Sequence, residues 1–81
     1  MSDTLERIKT VTAELLKIDR GIIKETSRFV NDLGAESVQS IELVAAFEEE
    51  FDIEMNEDQA LAVKTVGDAM RFIDRILAAK K

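Results

Sequence analysis

Three features of the sequence predict an all-α fold, a small four-helix bundle of three longer helices plus one short helix, with a long first loop. Apolar residues recur at helical spacing in three separate stretches. No stretch alternates apolar and polar residues as a half-buried strand would, and there is no proline to interrupt a helix. The 81 residues, of which 46% are hydrophobic, are expected to form one domain, 1–81, with one modest core.

The first helix is expected over residues 3–18, where Leu5, Ile8, Val11, Leu15 and Ile18 repeat on one face and Glu6, Arg7, Lys9, Glu14 and Lys17 take the others. Asp3 followed by Glu6 reads as a variant capping box, and Gly21 as the left-handed residue that closes the helix. Residues 19–36 show no sustained period, yet they are too apolar for a free linker. They are expected to be a loop pinned by Phe29 and Leu33, with a short turn near Ile22.

A second helix is expected over 37–51, with two stripes. Ser40, Leu43, Val44, Phe47 and Phe51 turn to the core, while Val38, Ile41, Glu42, Ala45 and Glu49 form a neighbouring face, half apolar and half acidic. That face suits either a docking surface for a basic partner or an ordinary solvated flank. Residues 57–63 read as a short helix resting on Ala60, Leu61 and Val63. The preceding acidic run does not have calcium-loop spacing, because Glu57 stands where the glycine belongs and Val63 where the closing glutamate does. A last helix opens at Thr65-Val66-Gly67-Asp68, with Val66, Ala69, Met70, Ile73 and Leu77 inward and Lys80 and Lys81 at its negative end.

Composition excludes several functions. The 17 acidic and 11 basic residues leave a net charge of -6, so neither nucleic acid nor an anionic membrane surface is an expected partner. There is no cysteine and no histidine, which removes the thiolate and imidazole ligands of metal sites and the commonest proton shuttle. No catalytic residues and no metal ligands are therefore assigned. No apolar run reaches the roughly 20 residues of a membrane span, and a monomeric cytoplasmic protein is expected.

One serine remains to be placed. Ser37 follows a polar, glycine-containing turn and opens the acidic helix, a position that suits a helix cap as well as a modification site. Around it, Phe29-Val30-Asn31-Asp32-Leu33-Gly34-Ala35-Glu36-Ser37-Val38, then Ile41-Glu42-Leu43-Val44 and Glu48-Glu49-Glu50-Phe51-Asp52-Ile53, resemble the acyl carrier protein family. The resemblance runs across the chain and includes Thr65-Val66-Gly67-Asp68-Ala69. Its Asp-Ser-Leu signature appears as Glu36-Ser37-Val38, a conservative departure on both sides of the serine.

The resemblance implies that Ser37 is the attachment point for 4'-phosphopantetheine, transferred from coenzyme A by a phosphopantetheinyl transferase, the holo-carrier synthase. The chain would then be a substrate and carrier rather than an enzyme, presenting acyl thioesters to fatty-acid, polyketide or related lipid-synthesis enzymes. Acyl-transferring, condensing and modifying enzymes with basic patches are the implied partners, docking on Asp32, Glu36, Val38, Ile41, Glu42, Ala45, Glu48 and Glu49. An acyl pocket is implied among Phe29, Leu43, Val44, Phe47, Val63 and Ile73. Two other readings stay open at this point. One is an aminoacyl or peptidyl carrier, and the other is an acidic helical interaction module with no prosthetic group.

Overall fold

The computed structural model describes residues 3–79 and contains four α-helices in the expected order: α1 (Thr4–Leu16), α2 (Ser37–Phe51), α3 (Glu57–Leu61) and α4 (Val66–Ala79). A 3-10 turn over Arg20–Ile22 lies in the long first loop. α1 packs against both α2 and α4, and α3 rests on α2. Lys80 and Lys81, expected at the negative end of the last helix, lie outside the described residues.

The core draws on each of the three longer predicted apolar faces, with Leu5, Val11, Leu15, Ile18, Met70 and Leu77 only partly buried at its edge. Ile8 of α1, Leu43, Phe47 and Phe51 of α2, and Val66, Ala69 and Ile73 of α4 are buried together with the loop anchors Phe29 and Leu33. Each large side chain among them contributes on the order of 1.5–3 kcal/mol by leaving water. Phe29 packs on Phe47 with ring centroids 6.3 Å apart and planes tilted by 54°, so the long loop is fixed to the middle of α2. Arg7 covers the outer edge of this core. Its guanidinium carbon lies 4.3 Å from the centre of the Phe51 ring while its Nη2 donates to the Glu50 carbonyl at 2.6 Å.

Several helix ends differ from expectation, each for a local reason. α1 closes at Lys17, which takes the left-handed conformation (φ 58°, ψ 48°) and donates its N–H to the Ala13 carbonyl, so the helix ends two residues earlier than expected and Gly21 does not end it. Asp3 forms no side-chain cap. Its backbone sits at φ -101°, ψ 15° rather than in the extended region that aims a capping carboxylate at the first turn. α3 stops at Leu61, before Val63, because the Ala62 and Val63 N–H groups tighten onto Gln59 and Ala60.

The loop is held by a backbone latch that periodicity does not reveal. Phe29 N–H donates to the Lys64 carbonyl at 3.0 Å, Val66 N–H to Ser27 at 2.9 Å and Gly67 N–H to Glu25 at 2.7 Å. Arg28 and Thr65 thereby form an antiparallel bridge. Gly67 is required at this crossing, since a Cβ there would stand 2.8 Å from Glu25 Cγ and 3.1 Å from its carbonyl oxygen. The latch ties the loop to the entry of α4.

One polar group sits badly. Thr12, on the buried face of α1, is 0% exposed and its hydroxyl has no hydrogen-bond partner. An unsatisfied buried hydroxyl costs roughly 1–3 kcal/mol. Thr12→Val keeps the shape and removes that cost, so it is expected to raise the melting temperature, by about 4–8 °C for each 1 kcal/mol gained in a domain of this size. An unchanged or lower melting temperature in differential scanning calorimetry would show that the hydroxyl is satisfied.

Candidate functional site

The site is assembled where the loop hands over to α2. Gly34 takes φ 75°, a left-handed turn that glycine adopts without strain, and Ala35 N–H bonds back to the Phe29 carbonyl at 2.9 Å. This reverses the chain and sets Ser37 at the first helical position. The cap is the residue before it. Glu36 and Gln39 form a capping box in which Glu36 N–H donates to Gln39 Oε1 at 2.9 Å.

That arrangement leaves the capping of α2 to Glu36 and Gln39 rather than to Ser37. The capping box serves the N-cap and third positions, so the first-turn N–H groups of Ser37 and Val38 have no intrahelical acceptor, and the Ser37 side chain is exposed. An exposed hydroxyl beside two unpaired N–H donors, at the positive end of a 15-residue helix, is a favourable setting for a phosphodiester. The donor set therefore fits the group that the sequence resemblance implies.

Beside Ser37 the residues expected to dock partners fall into two groups. Val38 is 67% exposed and Ile41 50%, and Ala45, Glu42 and Glu49 are exposed on the same side of α2. Glu42 and Glu49 form no ion pair among the described residues. Asp32, Glu36 and Glu48 are engaged locally. Asp32 accepts the Arg28 backbone N–H at 2.8 Å, and that bond, with the Arg28 guanidinium beside it, lowers its carboxyl below the ordinary value of 3.8. Glu36 is held in the capping box, and Glu48 is half-buried, its Oε2 accepting the Met55 N–H at 2.9 Å.

A cavity of about 450 Å³ opens between the loop, α2 and α3. Phe29, Leu43, Val44, Phe47 and Val63 line it. Ile73 does not. It is 0% exposed within the core cluster and is not among the residues that line the cavity. The pocket residues implied by the resemblance leave out Ser40, Leu61 and Ala69, which periodicity turns inward, and Met55, Arg28 and Lys64, which it does not single out; all six line the cavity. Leu61, apolar in an acidic segment, was the one local signal for that role. Ser40, which lines the cavity, lies about one helical turn beyond Ser37, about 4.5 Å along the axis.

Comparison with known proteins agrees with this geometry. A family model described as the phosphopantetheine attachment site matches residues 6–73. The chain is therefore a carrier module that receives a 4'-phosphopantetheine group, not an enzyme. An acyl carrier protein of Phenylobacterium zucineum is 49% identical over 79 residues, covering 98% of this chain and 100% of the relative. A solved structure described as an acyl carrier protein of Mycobacterium tuberculosis superposes with a TM-score of 0.81 at 34% identity, covering 88% of this chain and 95% of that one. The chain belongs to the acyl carrier protein family. As a family member it interacts with a phosphopantetheinyl transferase and with biosynthetic enzymes. Among the described residues, no helix is long and apolar enough to cross a membrane, and no group of acidic residues is arranged to hold a metal ion.

Proposed function

We propose that this chain is a cytoplasmic acyl carrier, modified on Ser37 and acting as a monomer in fatty-acid, polyketide or related lipid synthesis. The observation that supports it best is the state of Ser37: exposed, relieved of capping by Glu36 and Gln39, and set at the head of the docking face, one helical turn from the cavity-lining Ser40. When bound, the prosthetic group supplies the thiol for thioester formation that a cysteine-free chain lacks.

The chain's own residues do the rest. Ser37 Oγ offers the attachment atom: it bonds the pantetheine-side phosphorus of coenzyme A, the pyrophosphate bridge breaks to release adenosine 3',5'-bisphosphate, and the hydroxyl proton passes to a base of the transferase. The Ser37 and Val38 N–H groups face the negative charge placed there. Val38, Ile41 and Ala45 present apolar area, while Glu42 and Glu49 orient a basic partner. The largely apolar wall of Phe29, Leu43, Phe47, Ala60 and Ala69 favours a hydrocarbon cargo over an aminoacyl one.

Incubation with a phosphopantetheinyl transferase, magnesium and coenzyme A tests this directly. Intact mass is expected to rise by one 4'-phosphopantetheinyl unit, located on Ser37 by fragmentation. No gain, beside a control carrier that is modified, would overturn the assignment. Loading assays with fatty-acyl and aminoacyl donors separate the two kinds of carrier.

A further inference from the structure

We propose that Glu48 is a positioning residue that couples docking to the cavity: its carboxylate pins the connector to α3, and an arginine of a docked partner that takes the carboxylate frees α3 to move and open the cavity. This deepens the carrier reading and rests on it. Glu48 stands where the two surfaces meet. Val38, Ile41, Ala45 and Glu48 recur at helical spacing and share one face of α2. Val44, one turn before Glu48, lines the cavity, and so does Met55, whose N–H donates to Glu48 Oε2 at 2.9 Å.

The position of α3 depends on its two ends. Its 5 residues are too few for a helix to persist alone in water, and Ala60 is its one buried residue. The far end is closed by the latch, where Phe29 N–H meets the Lys64 carbonyl at 3.0 Å and Val66 N–H meets the Ser27 carbonyl at 2.9 Å. Those backbone bonds offer a partner's charge nothing to compete for. At the near end, Ile53 N–H bonds the Glu48 carbonyl at 3.1 Å, and beyond Ile53 the tie back to α2 is the bond from Met55 N–H to the Glu48 carboxylate. Between these ends the chain carries Met55, Ala60, Leu61 and Val63 of the cavity wall. Removing the pin therefore loosens that wall.

The pin is open to competition. Glu48 is half-buried and forms no ion pair among the described residues, so its charge is unspent. An arginine bonds a carboxylate through both oxygens in a planar fork and so turns Oε2 away from the backbone, whereas a lysine is a point charge that one oxygen satisfies. The matching occupant is a partner segment that lays apolar side chains on Val38, Ile41 and Ala45 and sets an arginine at Glu48.

The test uses protein carrying octanoyl on an amide-linked arm, with loading on Ser37 confirmed first by intact mass. Opening of α3 is read from hydrogen exchange at the Ala60 and Val63 amides, which bond the Asn56 and Ala60 carbonyls at 2.8 and 3.1 Å. Glu48→Ala is expected to speed both about 10- to 100-fold. Glu48→Gln, whose amide oxygen still accepts from Met55, is expected to change them far less, and Glu54→Gln, which removes a charge from the same connector, to leave them unchanged. A saturating tetra-arginine peptide is expected to speed exchange in the wild type about threefold to tenfold and to move the Phe47 and Ala69 amide shifts toward those of the unloaded protein. Tetra-lysine, or tetra-arginine on Glu48→Gln, is expected to do neither, with saturation read from the Glu42 and Glu49 amide shifts. Unchanged exchange in Glu48→Ala, no response to tetra-arginine, equal effects of the two peptides, or an arginine effect that survives Glu48→Gln would each overturn the inference and leave the carrier reading intact. Absence of the arm's mass would overturn both.

Discussion

Ser37→Ala is expected to fold as the unmodified wild-type chain does and to acquire no 4'-phosphopantetheinyl mass under conditions that modify the wild type completely. The structure makes both halves of that result independent. The hydroxyl does not cap α2, because Glu36 and Gln39 close the first turn between them, and the side chain is exposed. Surface changes of this kind alter stability within about 0.5 kcal/mol. Loss of the attachment atom, by contrast, is all or none. Circular dichroism with intact mass therefore distinguishes three cases. A folded, unmodified variant that no longer supports acyl transfer fits the carrier reading. A folded, unmodified variant with full function identifies an interaction module that needs no arm. An unfolded variant would mean that Ser37 serves the helix after all.

The sequence makes the fold legible wherever one face of one helix decides the matter. The inward residues Ile8, Leu43, Phe47, Phe51, Val66, Ala69 and Ile73 follow from a 3.6-residue period, and the structure buries them. What it hides depends on partners distant in the chain. The latch joins Glu25, Ser27 and Phe29 to residues 64–67 through backbone groups, which leave no mark in side-chain pattern except Gly67. Helix ends are hidden for a related reason, since Lys17 accepts a left-handed conformation that glycine usually fills. At the site, family resemblance supplies Ser37, but periodicity cannot tell a free carboxylate from an occupied one. Glu48 shares the acidic run with Glu49, yet its oxygen is bonded to the Met55 N–H. Ile73 shares the apolar character of the cavity wall, yet lies within the core.

That difference between free and occupied carboxylates sets the second large effect. Replacing Glu42 and Glu49 together by Lys is expected to lower kcat/KM of a basic partner enzyme by roughly 10- to 1000-fold at low salt, the range over which electrostatic steering changes association rates. Each exchange adds two charges, so the net charge moves from -6 to -2 and the sign of the docking face reverses locally. Steering acts through solvent, where the screening length is about 10 Å at 0.1 M salt. The deficit is therefore expected to shrink as salt rises, and the Gln pair, which removes charge without reversing it, is expected to fall between. Helicity is expected to hold, because neither carboxylate forms an ion pair among the described residues and Lys at 49 faces the negative end of α2 favourably. Glu48 does not belong in this experiment. Its reversal strips the acceptor from Met55 N–H and disturbs the connector to α3, which mixes folding with docking. A salt-independent loss of rate in the Glu42 and Glu49 variant, with helicity intact, would place its effect in contact rather than in steering. No loss at all would move the docking surface off this face of α2.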